Sequence, residues 1–219
     1  MRLAPALVVA SLALAASACG DDEASEPADD TSITAERCVV YLHGKGGGGS
    51  ATSLEGDVAL VRPTGNDEGW GAREWRYFPD DRLVEATETV GAALDAVGCI
   101  DAVVHGFSNG GAFVGALACS GETFDGRVET FVVDDPVVDD GTADCSPAAG
   151  VGISLYWTGG LDAESVAGTD CGDLDWTCAG DVLVGLDEYA ARLGVEPQPS
   201  RFDEHVPYED PPEIVAFLG

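Results

Sequence analysis

A turn between a predicted strand and a predicted helix constrains the fold of this chain more than any other feature. The apolar run 100–104 predicts a buried strand, and the small residues of 112–119 predict a helix. Between them lies Gly106-Phe107-Ser108-Asn109-Gly110, which follows His105. A serine on such a sharp bend leaves no room for a Cβ two residues away, so glycine is required on both sides. The bend exposes the hydroxyl and brings the next backbone N–H beside it, as a nucleophile requires.

The N-terminus predicts an export signal. Residues 1–18 begin with Met1-Arg2, continue as an apolar stretch too short to span a membrane, and end in small residues before Cys19. This arrangement resembles the bacterial lipoprotein signal, in which the cysteine is lipidated and becomes the first residue of the mature protein. A plain secretory peptide and an N-terminal helix of the fold are the two alternatives. The expected location is the outer face of the cell membrane, with secretion as the alternative.

Charge divides the remainder of the chain and excludes some partners. Residues 19–36 are acidic with almost no large apolar side chains, which predicts a flexible tether before a single domain at 37–219. The formal net charge is −30, and Lys45 is the only lysine. Such a surface repels nucleic acid, so binding to DNA or RNA is not expected. The sequence predicts no oligomeric state.

Short apolar runs alternate with helical patterns across the predicted domain. Strands separated by helices predict a mostly parallel sheet with helices on both faces. The predicted strands are 38–42, 57–62, 100–104, 130–133 and 153–157, and the predicted helices are 81–97, 112–119, 181–193 and 211–218. Since 133–152 is too short for a large insertion, we expect no large lid over the pocket.

From Cys38 to its C-terminus, the chain resembles the α/β-hydrolase superfamily. The resemblance rests on His43-Gly44 after an early strand, on the Gly-Phe-Ser-Asn-Gly-Gly turn, and on His205 before the last helix. The amino-acid sequence of this turn is similar to that of small esterases and polyester depolymerases. The resemblance implies an α/β-hydrolase fold and a nucleophile, acid and histidine in that chain order.

The resemblance assigns Ser108 as the nucleophile and His205 as its base, with His43 and His105 as weaker candidates. The acid is expected to be Asp162, after the run 156–161, where the family usually carries it. Three further carboxylates stay open as alternatives for the acid: Asp134, Asp135 and Asp139. The first two stand before a proline and fit turn chemistry equally well.

Two loops are expected to border the site. Backbone N–H groups of Asn109 and of Lys45 or Gly46 are the expected oxyanion donors. Lys45 can bind an anionic substrate group or be an ordinary loop charge. Residues 46–49 lack the Gly-Lys-Ser/Thr ending of a nucleotide-binding loop. Trp70 and Trp75 lie in an aromatic loop that forms either a substrate wall or loop packing.

Six cysteines follow the predicted lipidation site, and an even number in an exported chain favours disulfides. In the family's sheet the strands that begin at Cys38 and Cys99 are neighbours, which predicts a disulfide between them. The other expected pairs are Cys119 with Cys145 and Cys171 with Cys178. Paired Cys-x-x-Cys spacing is absent, so neither a metal site nor a cofactor is predicted.

The sequence therefore predicts an exported serine hydrolase that cleaves carboxylic esters through an acyl-enzyme. The expected substrate is a small or polymeric ester, and the expected membrane contact is the lipid anchor at Cys19. A peptidase or amidase that uses the same triad is one alternative. A non-catalytic binding module on the cell surface is the other.

Overall fold

The computed structural model describes residues 33–67, 73–139, 145, 147–158, 170 and 180–219. These residues form one seven-stranded sheet with helices packed on it. The strands are β1 (Arg37–Leu42), β2 (Ser50–Glu55), β3 (Val58–Arg62), β4 (Asp101–Phe107), β5 (Val128–Asp134), β6 (Gly152–Trp157) and β7 (Gln198–Pro199). The helices are α1 (Asp80–Val97), α2 (Asn109–Ser120), α3 (Leu186–Leu193) and α4 (Pro212–Leu218).

The sheet has the strand order β2-β3-β1-β4-β5-β6-β7 and is parallel except for β2. β2 is an antiparallel edge strand that the sequence pattern did not predict. Its sequence, Ser-Ala-Thr-Ser-Leu-Glu, is mostly exposed and polar, so it carries no run of buried apolar residues. The central strands β1, β4 and β5 are apolar and buried, as expected for a parallel sheet covered on both faces.

Each face of the sheet has its own apolar core. Side chains alternate between the faces along a strand, so Val40 and Leu42 of β1 contribute to the first core and Val39 to the second. Helices α1, α2 and α3 cover the first face. Helix α4 covers the second through Ile214. The predicted parallel sheet with helices on both faces is confirmed.

Several predicted boundaries differ from the structure. The helix predicted for 181–193 is shorter, because α3 begins only after Gly185. Strand β4 extends to Phe107 and brings the chain directly to Ser108. The lid expectation concerns a region that is only partly described, so it stays a prediction. In the described part of the chain, no helix combines the length and apolar character needed to cross a membrane.

Two of the three predicted disulfides are confirmed. Cys38 and Cys99 join the amino ends of the neighbouring strands β1 and β4, with Cα atoms 5.9 Å apart. Cys119, near the end of α2, is bonded to Cys145, with Cα atoms 4.2 Å apart. The third predicted pair, Cys171 with Cys178, lies outside the described residues.

We predict that the disulfide at the amino ends of the strands contributes more stability than the one at the end of α2. Cys38–Cys99 spans 61 positions and Cys119–Cys145 spans 26. Loop-closure entropy then favours the longer cross-link by roughly 0.8 kcal/mol. Urea unfolding of the two double-alanine variants measures the difference. An equal loss in both, or a larger loss without Cys119–Cys145, contradicts the prediction.

Candidate active site

Ser108 stands on a strained turn between β4 and α2. Its φ is 54° and its ψ is −117°, a positive-φ conformation that costs a non-glycine residue about 1–3 kcal/mol. The tight fit of the surrounding backbone maintains this strain. A Cβ on Gly106 would lie 2.2 Å from the Gly110 carbonyl oxygen, and one on Gly110 would lie 2.2 Å from the Leu42 carbonyl oxygen. The glycines on both sides of the serine are therefore required by sterics, as predicted.

The turn is anchored to both neighbouring strands. The Ser108 N–H donates to the Asp134 carbonyl at the end of β5, at 2.9 Å. A Cβ on Gly111 would meet the same carbonyl oxygen at 2.7 Å, so helix α2 packs directly against this strand end. Asn109 begins α2, where backbone N–H groups have no partner within the helix. The helix N-terminus therefore presents donors and a partial positive charge beside the serine.

The side chain of Asn109 has a structural role. Its Oδ1 accepts the Trp75 N–H at 2.7 Å, and its Nδ2 donates to the Trp75 carbonyl at 3.1 Å. This pair of bonds fixes the segment that contains Trp75 against the serine turn. The Trp75 ring is only 1% exposed and stacks on Phe113, at 5.2 Å between centroids. Trp75 is therefore a core residue and does not form a substrate wall; Trp70 lies outside the described residues.

The turn after β1 lies against Ser108 from the other side. A Cβ on Gly44 would be 3.1 Å from the Ser108 Cβ, so a side chain here would displace the serine by a few tenths of an ångström. The His43 imidazole binds backbone through both nitrogens: Nδ1 donates to the Gly44 carbonyl at 2.8 Å, and Nε2 accepts the Gly65 N–H at 2.9 Å. His43 therefore shapes the loop and is not available as the catalytic base.

Two predicted members of this loop have other partners. The Gly46 N–H donates to the Arg73 carbonyl at 2.8 Å, which removes it from the candidate oxyanion donors. The Lys45 Nζ lies 4.0 Å from the Glu74 carboxylate, whose side chain is 2% exposed. Lys45 thus neutralises the buried Glu74, so its positive charge has a structural role that needs no anionic substrate group.

His205 comes from the loop before α4 and binds a buried carboxylate. Its Nδ1 lies 2.5 Å from Oδ2 of Asp135, which is fully buried. The same carboxylate accepts the Thr158 hydroxyl at 2.5 Å and the Thr158 N–H at 3.3 Å. On its other side the imidazole packs on Phe107, with ring centroids 4.6 Å apart. His205 is therefore oriented by Asp135 and held against the residue that precedes Ser108.

Asp135 follows β5 directly, as Ser108 follows β4, and it also has a positive φ, 44°. β4 and β5 are neighbours in the sheet, so the two residues lie at the same edge. Asp134 plays a different part, because its Oδ2 accepts the Tyr208 N–H at 2.7 Å and so holds the loop that carries His205. Asp139 accepts the Gly180 N–H at 2.7 Å.

The structure therefore pairs His205 with Asp135, which the sequence offered only as an alternative acid, and places the imidazole against Phe107, the residue before Ser108. Asp162, the acid expected first, lies outside the described residues. His105 is 2% exposed, and its Nε2 lies 3.4 Å from the buried Asp134 carboxylate. Thr158 was missed, because a threonine that ends a strand carries no distinctive pattern. Among the described residues, no cluster of His, Cys, Asp and Glu is arranged to hold a metal ion.

No protein-family model and no curated protein sequence matches this chain. Among solved structures, Atu2452 of Agrobacterium tumefaciens str. C58, of unknown function, is 16% identical over 84% of this chain and 89% of its own, with a TM-score of 0.48. YahD, solved with malic acid, is 12% identical over 83% and 90%, with a TM-score of 0.47. Brefeldin A esterase, a bacterial homologue of human hormone-sensitive lipase, is 20% identical over 49% and 34%, with a TM-score of 0.27. These likenesses are too distant to carry an argument about chemistry.

The architecture itself is clear. A mostly parallel sheet with an antiparallel strand at one edge carries a strained serine at a strand-to-helix turn, and a histidine loop lies before the last helix. This is an α/β-hydrolase fold, as the sequence predicted.

The environment of His43 predicts a pH dependence of stability. Burial lowers the pKa of His43 below 6.5, and the positive charge of Arg73 lowers it further, although the bond to Gly44 opposes them. Below pH 6.5 the unfolded chain therefore binds more protons than the folded one, and the free energy of unfolding falls as the pH falls through the folded pKa. Protonated Nε2 also cannot accept the Gly65 N–H.

The variant His43→Gln isolates this contribution, because a glutamine oxygen can accept the Gly65 N–H without titrating. We expect the wild type to be more stable at pH 7.5 and the difference from the variant to narrow as the pH is lowered to 5. Chemical unfolding at each pH measures it. A difference that stays constant over this range disproves the assigned role of His43.

Proposed function

We propose that the chain is a serine hydrolase that cleaves carboxylic esters with Ser108, His205 and Asp135. The observation that carries the proposal is the bond between His205 Nδ1 and the buried Asp135 carboxylate. It is supported by the packing of His205 on Phe107, which precedes the strained Ser108. Ser108 follows β4, Asp135 follows β5, and His205 comes from the loop before α4 and binds Asp135 at the carboxyl edge of the sheet. In parallel α/β sheets, this edge is where active sites form.

The bond to Asp135 defines the form of the imidazole. A carboxylate accepts hydrogen bonds, so Nδ1 carries the proton and Nε2 is the basic nitrogen. In the first step Nε2 takes the Ser108 hydroxyl proton while Oγ attacks the ester carbonyl carbon. The imidazolium that forms is stabilised by the Asp135 carboxylate, which Thr158 holds in place. His205 then donates its new proton to the departing alcohol and leaves an acyl-enzyme.

The oxyanion of each tetrahedral intermediate requires backbone donors. The Asn109 N–H at the start of α2 is one proposed donor, favoured by the position of the helix N-terminus. The second comes from the turn after His43-Gly44, where the Lys45 N–H is the remaining predicted candidate. Removing one such donor typically costs about 10²–10³ in kcat. In the second half-reaction, His205 activates water, and the acid product leaves Ser108.

The disulfides support an oxidising compartment, since such bonds are rare in the cytosol. We therefore infer that the domain works outside the cytoplasm. The lipid anchor at Cys19, the tether at 19–36 and the signal at 1–18 remain predictions from the sequence alone.

We predict that Ser108→Ala abolishes ester hydrolysis without unfolding the protein. Alanine keeps the Cβ and loses only the nucleophile, so kcat/KM for 4-nitrophenyl acetate should fall by at least about 10⁴-fold. Initial rates and near-ultraviolet circular dichroism measure activity and folding in the same samples. Labelling by a fluorophosphonate probe should disappear together with activity. If folded Ser108→Ala still hydrolyses the ester, the proposed mechanism is wrong. If the wild type neither hydrolyses the ester nor reacts with the fluorophosphonate probe, the alternative of a non-catalytic binding module is favoured.

A second pair of variants decides which carboxylate is the acid. Asp135→Asn should lower kcat by about 10³–10⁴-fold, because an amide at that position no longer stabilises the imidazolium and favours the wrong tautomer. Asp162→Asn is the matched control, with the same change of one oxygen to nitrogen. It should retain activity within about threefold. If Asp162→Asn is the inactive variant and Asp135→Asn is not, the acid assigned by the sequence pattern is correct and ours is wrong.

A further inference from the structure

A cleft of about 220 Å³ lies next to the serine turn, and its lining residues include Tyr41, on the face of the sheet that α4 covers. Gly44 and Phe107 form the wall nearest the serine, and both are in direct reach of it. Pro207 forms part of the opposite wall, two residues after His205. The cleft therefore lies between the nucleophile turn and the histidine loop, where the proposed mechanism places part of the bound ester.

The far end of the cleft carries a positive charge. Arg62 ends β3 and lines the cleft, with its guanidinium 4.7 Å from the centre of the Tyr41 ring. A guanidinium stacked on a ring keeps the N–H donors along its edges available, and these donors match a carboxylate in a two-pronged geometry. The Tyr41 hydroxyl donates to the Glu209 carbonyl at 3.1 Å. Burial raises the pKa of Tyr41 to about 12, so the ring adds no negative charge at neutral pH.

Arg62 differs from the other basic residues of the described chain in what it contacts. Most of them pair with a carboxylate, namely Arg37, Lys45, Arg76, Arg82, Arg127, Arg192 and Arg201. Within the described ranges, Arg62 forms no such ion pair and stacks on Tyr41 instead. In a chain with 40 acidic residues, a guanidinium without a carboxylate partner that lines a cleft next to the serine turn can bind an anion.

We propose that this cleft binds a carboxylate of the substrate through Arg62, so that the preferred substrates are esters that carry a negatively charged group. This inference rests on the proposed hydrolase function. Only β1 separates β3 from β4, so these strands lie about 10 Å apart across the sheet. The strand register places Arg62 level with His105, three residues before Ser108, so the backbone positions of Arg62 and Ser108 are about 14 Å apart. A short spacer of three or four carbons between ester and carboxylate spans this distance together with the arginine side chain.

The exposed Glu209 also lines the cleft and contributes the opposite charge. Its carboxylate disfavours a bound anion, whereas Arg62 favours one. Substitutions at the two positions should therefore act in opposite directions on charged substrates. This opposition distinguishes an electrostatic role from a loss of folding, which would lower activity in both variants.

The test compares esters that differ by one charge. Mono-4-nitrophenyl glutarate and 4-nitrophenyl valerate have acyl chains of the same length, and only the first ends in a carboxylate. A second pair, 4-acetoxybenzoate and its methyl ester, places the carboxylate on the alcohol side. The measured quantity is the ratio of kcat/KM for the charged ester to that for the neutral ester.

In at least one pair, we expect Arg62→Met to lower this ratio by about 10- to 100-fold, the effect of losing a hydrogen-bonded charge. Arg62→Lys should restore part of it, and Glu209→Gln should raise it by about twofold. Arg192→Gln removes the same charge from α3, on the opposite face of the sheet, and should leave the ratio unchanged. Ratios in both pairs that do not respond to Arg62→Met or Arg62→Lys overturn the proposal.

Binding to Ser108→Ala separates this inference from the proposed function. Calorimetric titration with glutarate, and with glutaramide as the neutral control, needs no catalysis. Glutarate binding that is lost in Ser108→Ala/Arg62→Met supports the anion cleft even if no ester is hydrolysed. If Ser108 is needed to hydrolyse 4-nitrophenyl valerate but Arg62 does not affect the preference in either ester pair, the proposed hydrolase function is supported and the anion-binding cleft is disproved.

Discussion

The close approach of three backbone segments around Ser108 is the constraint on which the rest of the structure depends. The serine turn lies against the end of β1 and the end of β5, with carbonyl oxygens where side chains would otherwise be. Three glycines make this contact possible, namely Gly106, Gly110 and Gly111. The contact fixes the direction of α2 and the strained φ of the serine, so the nucleophile is oriented before any substrate arrives.

Two adjacent carboxylates at the end of β5 fix the position of His205 in the same way. Asp134 accepts a hydrogen bond from a backbone N–H in the loop of His205, and Asp135 accepts one from the imidazole of His205. Both are fully buried, so their bonds are protected from water and from the salt that screens surface charges. Most carboxylates of the described residues are exposed, and Asp134 and Asp135 are among the four that are buried, together with Glu74 and Asp139.

The parts of the site that local patterns encode were predictable, and the parts that depend on tertiary contacts were not. Glycine spacing around Ser108 reports a steric requirement within a few residues, so the turn, its strand and its helix follow from sequence. The partner of His205 depends on which of many carboxylates the folded chain buries beside it, and the sequence pattern favoured Asp162 over Asp135. Strand β2 was missed because an exposed polar edge strand has no apolar alternation. The contact of Arg62 with Tyr41 requires knowledge of strand order.

Strands β1 and β4 place the cross-link and the chemistry at opposite ends. Cys38 and Cys99 join their amino ends, whereas His43-Gly44 and Ser108 follow their carboxyl ends, roughly 20 Å away at 3.3 Å per residue. The strands between them thus separate the disulfide that stabilises the fold from the loops that contact the substrate. Loops at the carboxyl edge can therefore diverge in sequence, and with them the choice of substrate, while the covalent brace at the other edge stays as it is.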